Sequence, residues 1–267
     1  MSSSGGDLGR ALCVVTGASR GFGRAVAVDL SRLVRPGSVL VLVARSVDDL
    51  RALQAELARP EAGGTGLTVK CVEADLAQTD GVERAVKASE EAAAAAEIEH
   101  MVLVNNAASL GDVSRCAQSF TRMAEVDSYL SFNVSSALCL TARLLQAFPR
   151  RPGLRRTVVN VSSLCAVQPY PTWVLYCSGK AARDMMFRVL AEEEPDIRVL
   201  SYAPGPLDTA MQTEARSTTA DPKMKQMISD LFAQGRLLSC EESSAKLMKL
   251  LLEDKFTSGS HVDIYDV

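Results

Sequence analysis

Ala11-Leu-Cys-Val-Val-Thr16, running directly into Gly17-Ala18-Ser19-Arg20-Gly21-Phe22-Gly23, decides how this chain folds. A short uncharged run of apolar residues matches a strand buried on both faces, the kind used in parallel sheets. The glycines at 17, 21 and 23 separate it from an amphipathic segment, about 22 to 34, with helical spacing. Glycine lets a backbone approach a ligand closely, and a helix N-terminus offers unpaired N–H groups at its positive dipole end. A glycine cluster alone is only a turn. Between a strand and a helix it becomes a cradle for a pyrophosphate, so the chain opens on a dinucleotide-binding unit.

The next segments extend that reading. Ser38-Val-Leu-Val-Leu-Val-Ala44 is a second buried strand, followed by Arg45 and Ser46. A site that prefers NAD puts a carboxylate here for the ribose 2′-hydroxyl, whereas a guanidinium suits a 2′-phosphate. Arg20 can reach the same group from the glycine turn, so the phosphorylated cofactor is favoured; either arginine could instead be an ordinary surface charge. A polar helix (46 to 58), a Gly/Pro-rich connection (59 to 66) and a third strand (67 to 73) come next. Asp75-Leu76 stands where a carboxylate can receive an adenine amine, or can cap the following helix. That helix starts near Thr79 and takes in the alanine tract at 92 to 96. A fourth strand, Met101 to Ala108, ends in Asn105-Asn106, amides able to bridge strand ends. Strands alternating with helices give a doubly wound parallel sheet with right-handed crossovers.

The second half carries candidate chemistry. A helix from about Val126 to Phe148 is apolar on more than one face, which predicts a subunit contact made with the helix that holds Tyr176. Within it Asn133 is either a routine buried amide or the holder of a water that links a lysine to solvent. Thr157 to Val161 is a fifth strand, and Ser163 at its end precedes Tyr176 by thirteen residues. Tyr176 and Lys180 are four apart and project from one face of a helix. A cation beside a phenol favours the phenolate, which predicts proton exchange with an alkoxide near neutrality.

Composition limits the alternatives. The 267 residues, 47% of them hydrophobic, suffice for one large α/β domain, and a net charge of −3 gives no basic footprint for nucleic acid. Residues 1–9 lack the features of an export signal and read as a disordered leader before one domain spanning 10–267; no later run has the length of a membrane span. A cytoplasmic protein is expected. Seven cysteines without C-x-x-C pairing read as reduced core thiols, and His100 and His261 lack ligand spacing, so no metal is expected.

Together T-G-x-x-x-G-x-G (16 to 23), N-N-A (105 to 107), Ser163, Tyr176-x-x-x-Lys180 and Pro204-Gly-Pro-Leu-Asp-Thr209 closely resemble the short-chain dehydrogenase/reductase family over nearly the whole chain. Finer wording, in Leu110 to Ser114, Val161 to Ala166, Ser201 to Asp208 and Gly259 to Asp266, resembles members that reduce side-chain ketones on pterins. Ala108 departs from a frequent glycine and narrows the nicotinamide pocket slightly.

The resemblance implies a Rossmann-type sheet of about seven strands. It also implies NADPH/NADP+ held by residues 17 to 23, Arg45, Ser46, Asp75, Leu76, Asn105, Tyr176, Lys180 and the segment Leu207-Asp208-Thr209-Ala210-Met211-Gln212. Ser163, Tyr176, Lys180 and Asn133 would be catalytic. Gly205, Asp263, Trp173, Ser163 and Tyr176 would meet the substrate, although spacing alone does not separate Asp263 from Asp266. The expected activity is reduction in the last steps of tetrahydrobiopterin formation, by a homodimer. Rival readings are a broad carbonyl and diketone reductase, and a non-catalytic NADPH-binding regulator.

Overall fold

A computed structural model describes residues 6–59 and 66–267. Seven strands, β1 (Ala11–Thr16), β2 (Val39–Ala44), β3 (Thr68–Glu73), β4 (His100–Asn105), β5 (Arg155–Val161), β6 (Ile197–Ala203) and β7 (Ser260–Asp263), form one sheet in the order β3-β2-β1-β4-β5-β6-β7. Every pairing is parallel. The chain winds outward from β1 to β3, returns, and winds the other way from β4, so a crevice opens between the carboxyl ends of β1 and β4.

Alternation along β1 explains the layers. Ala11, Cys13 and Val15 pack with α1 (Gly21–Leu33), α2 (Val47–Leu57) and α9 (Cys240–Glu253), whereas Leu12 and Val14 pack with α3 (Thr79–Ala93), α5 (Ser136–Ala147) and α6 (Val174–Glu193). Both faces are covered, and for that reason β1 and β2 consist almost entirely of apolar residues and β4 is apolar between His100 and Asn105. A smaller cluster over the carboxyl edge joins Leu110, Trp173 and Tyr176 to α7 (Ala210–Thr218) and α8 (Pro222–Ala233).

Several expectations need correcting. Residues 1–5 of the expected leader, and 60–65 of the Gly/Pro-rich connection, lie outside the described residues. Leu8, by contrast, is buried and its N–H donates to the carbonyl of Leu33, so the leader does not extend to residue 9. Only the first two residues of the alanine tract belong to α3, which ends at Ala93. The helix expected from 126 to 148 begins as α4 (Met123–Leu130) and passes through a π-turn at Ser131–Ser135 before α5. Cys116 and Cys139 are exposed, so the thiols are free but not all in the core. Among the described residues no helix is long and apolar enough to cross a membrane.

His100 is a satisfied core histidine. Its ring bridges the Leu8 carbonyl (3.2 Å) and the Thr157 hydroxyl (2.8 Å). Burial first, then the charge of Arg155, push its pKa down to about 4. The folded state therefore keeps this ring neutral where the unfolded chain protonates it, and the stability so gained is present above pH ~6.5 and lost as pH falls toward the folded value. In urea titrations the stability lost between pH 7 and pH 5 should be smaller in His100→Gln than in the parent, by about 2 kcal/mol. An equal loss in both proteins would show that the ring is not held neutral.

Candidate active site

The glycine turn is shaped by what lies against it. Gly17 has φ +66° and Gly21 φ +56°, which side-chain-bearing residues rarely adopt. A Cβ on Gly23 would sit 2.4 Å from the Gly17 carbonyl oxygen and from Asn106 Nδ2. Asn106 clamps the turn by donating to the carbonyls of Thr16 (2.8 Å) and Gly17 (3.2 Å), while the Thr16 hydroxyl accepts from the N–H groups of Asn106 and Ala107. Helix α1 starts at Gly21 without a side-chain cap and without an acidic residue in its first turn. Its leading N–H groups are thus free for an anion.

Arg20 and Arg45 are exposed, and neither forms an ion pair with another described residue. Ser46 caps α2. Asp75 does not cap α3; one of its oxygens accepts from the N–H of Ala77, and Leu76 is buried beside it. Across the crevice, Thr209 caps α7 and lies near Gly21, which puts Ala210, Met211 and Gln212 in the first turn of a helix facing the glycine turn. Asn105 is placed differently from expectation. It is 2% exposed, its amide donates to Thr141 on α5, and Asn106 is the residue that meets the glycine turn.

The candidate proton-transfer residues converge where β5 gives way to α6. Ser163 caps a short 3-10 turn directly after β5, its Oγ accepting from the N–H of Cys165 at 3.2 Å. Tyr176 and Lys180 occupy the first two turns of α6 and are 9% and 5% exposed. Lys180 Nζ lies 5.5 Å from the centre of the Tyr176 ring and donates to the Val161 carbonyl at 2.6 Å. Trp173 packs edge-on against Tyr176 with ring centres 5.6 Å apart, and Tyr170 follows at 6.3 Å.

Protonation differs from the sequence expectation. Burial pushes the Tyr176 phenol upward, the neighbouring Cys165 adds to this, and a hydrogen bond from Ser163 and the charge of Arg183 pull it back. Burial and the same Arg183 push Lys180 down to about 7. A cation near the phenol does not dominate here because desolvation penalises charge on both groups.

Arg183 is the residue that the sequence reading missed. It is 1% exposed, its Nε donates to Asn160 at 2.8 Å, and its other nitrogens donate to the carbonyls of Asn105, Ala107 and Asn133. It follows Lys180 by three residues and Tyr176 by seven, so helical spacing alone puts it on their face. Asn133 sits in the π-turn with its amide committed, accepting from the Ser109 N–H and donating to the Ser109 hydroxyl and the Tyr129 carbonyl. A relay water would find only a spare lone pair there.

The sheet's far side carries the remaining candidates. Asp263 ends β7, paired in register with Ala203, and its Oδ1 accepts from the Tyr265 N–H. Asp266 instead closes the terminal turn by accepting from the N–H of Asp263. Its neighbour His261 is not a solvated histidine, because Nδ1 lies 2.6 Å from Asp184, which raises its pKa. Gly205 at φ +78° lets the Pro204–Pro206 turn lie against Ile264 and Leu238.

A family model described as short chain dehydrogenase matches residues 11–220. The chain is similar to the sepiapterin reductases of Xenopus laevis, 53% identical over 98% of both chains, and of Rattus norvegicus, 51% identical over 98% of this chain and 99% of that one. Among solved structures it resembles L-sorbose reductase from Gluconobacter frateurii complexed with NADPH and L-sorbose, at 26% identity and a TM-score of 0.78, covering 98% of this chain and 97% of that one. Sheet order, glycine turn, and the serine, tyrosine and lysine at one edge agree with these likenesses: the chain belongs to the short-chain dehydrogenase/reductase family, on its sepiapterin reductase branch.

Proposed function

We propose that this chain is an NADPH-dependent reductase of side-chain ketones on pterins, converting sepiapterin to dihydrobiopterin and 6-pyruvoyl-tetrahydropterin to tetrahydrobiopterin. The observation that carries the reading is spatial. Ser163 follows β5 while Asp263 ends β7, two strand spacings away, or about 10 Å. That span suits a bicyclic pterin with its ketone over Ser163 and Tyr176 and its ring N–H and exocyclic amine on Asp263, a charge-assisted bidentate pair. Tyr170 and Trp173 would wall the pocket; burial first, then the neighbouring Cys165 and Cys177 and last the charge of Asp263, raise the Tyr170 pKa.

NADPH, when bound, supplies the hydride. The uncapped start of α1 suits its pyrophosphate, Arg20 and Arg45 suit its 2′-phosphate, and Asp75, Leu76 and residues 207–212 line the crevice on either side. The Ser163 hydroxyl donates to the ketone oxygen and orients it. The Tyr176 phenol, held protonated by burial, gives its proton to that oxygen as negative charge develops. Lys180, with a pKa of about 7, can hand a proton to the resulting phenolate near neutrality, besides binding the ribose hydroxyls.

A homodimer belongs to this reading. Leu138 on α5, and Met185 and Val189 one turn apart on α6, are 50%, 55% and 46% exposed, an apolar face that a second copy would cover.

Three outcomes test the proposal. Tyr176→Phe should keep NADPH affinity while turnover falls by on the order of 10² to 10⁴, followed by loss of absorbance from the reduced cofactor. Asp263→Ala should raise KM for sepiapterin tenfold or more and leave KM for a simple diketone unchanged. Equal effects on both ketones would favour a broad carbonyl reductase. Met185→Glu should sediment as a monomer where the parent sediments as a dimer.

A further inference from the structure

The edge of the sheet opposite the catalytic crevice holds a cavity of about 550 Å³ that the ketone chemistry does not use. It opens where β4, β5 and β6 begin, among the residues that precede these strands and the first residues within them. Five arginines (150, 151, 155, 156 and 198) line it against two aspartates (196 and 254), an excess of three positive charges in a chain whose net charge is −3. Such a concentration of one sign is not the background of this surface.

The five are not equivalent. Arg156 is 5% exposed and fixed on β5 by Asp196 and Glu194, and Arg198 is paired with Asp254 and stacked on Phe256 with its guanidinium carbon 4.4 Å from the ring centre. The other three have no carboxylate partner among the described residues. Arg151 donates once, to the Ile98 carbonyl, Arg155 once, to the Leu8 carbonyl, and the Arg150 side chain makes no hydrogen bond with a described residue. Each guanidinium has five N–H donors in a planar fork, so most of those on Arg150 and Arg151 have no partner among the described residues, whereas Arg155 turns its fork toward Leu8 with Asp7 and Glu99 lining that side. Arg156 Nε is itself buried and unpartnered. The positive field also reaches the neighbouring core, where the charge of Arg155 helps to push His100 down to about 4.

We propose that this cavity is a second ligand site, and that it takes a small organic phosphate. Guanidinium forks match phosphate oxygens bidentately, and Arg150 and Arg151, with Arg155 and the unpartnered Nε of Arg156 beside them, call for a ligand carrying more than one negative charge. Pro152, Leu154, Leu251 and Phe256 add an apolar floor suited to an organic body. The volume lies within the ~300–1,000 Å³ range of small-molecule sites. An anion here would offset the mutual repulsion of the arginines and so stabilise the folded chain. Site and catalytic crevice lie at opposite ends of the same strands, so the two ligands can be bound together.

Calorimetric titration of the protein saturated with NADP+ tests this, because the pyrophosphate cradle is then filled. Phenyl phosphate should bind with one-to-one stoichiometry and at least fivefold more tightly than inorganic phosphate. Arg150→Glu/Arg155→Glu should weaken both by tenfold or more, with NADP+ affinity and ketone reduction unchanged. Arg150→Glu alone loses no protein contact and should act in the same direction. No saturable heat, or equal binding by parent and double variant, would overturn the assignment; equal affinities for the two phosphates would remove the organic body from it.

Discussion

A buried guanidinium ties the halves of this molecule together. Arg183 reaches from α6 beneath the catalytic edge to carbonyls at the end of β4 (Asn105, Ala107), to the π-turn (Asn133) and to the Asn160 side chain on β5. Removing a guanidinium from water is expensive unless its donors are satisfied, and here the satisfying groups are backbone carbonyls that strand ends and a π-turn leave unpaired. Asn160 in turn donates to Asp184, which pairs with His261 on β7. One polar chain therefore runs under the edge from β4 to β7 and fixes the ends of β5, which Ser163 follows, and of β7, which Asp263 closes.

The same burial governs acid–base behaviour. In water a phenol and an ammonium would titrate near pH 10, but enclosure moves the phenol up and the ammonium down to about 7. The displacement runs in opposite directions because the two groups are charged in opposite protonation states. In the proposed reduction a protonated phenol is the form consumed, and a lysine that releases its proton near neutrality would restore it. Arg183 reinforces the second displacement and opposes the first, its fixed charge disfavouring the ammonium and favouring the phenolate.

Much of this was legible in the residues, for reasons of period and order. Strands buried on both faces leave unbroken apolar runs, so β1, β2 and β4 stood out, whereas the exposed pattern of edge strand β3 gave less. Helical spacing places Tyr176 and Lys180 together, and the same spacing puts Arg183 with them, although spacing does not mark it as a buried cation. What spacing could not deliver was the balance of desolvation against charge, because that depends on enclosure by Trp173, Leu110 and neighbours distant in sequence. Nor could it separate Asn105 from Asn106. Adjacent residues at a strand end point to opposite sides, and only the packing of α5 and of the glycine turn decides which amide goes where.

The π-turn at Ser131–Ser135 bears on how chain length can vary in this branch. Such a turn holds more residues than an α-helical one, and each residue added to or removed from a helix rotates everything after it by about 100°. Shortening the segment by one would close it into an ordinary α-helical turn and keep Thr141 and Leu144 on the sheet, whereas the same deletion within the first turn of α5 would carry Leu144 to the exposed place of Arg143. Loss of a single residue should therefore be tolerated at this turn before it is tolerated in the α-helical segments on either side.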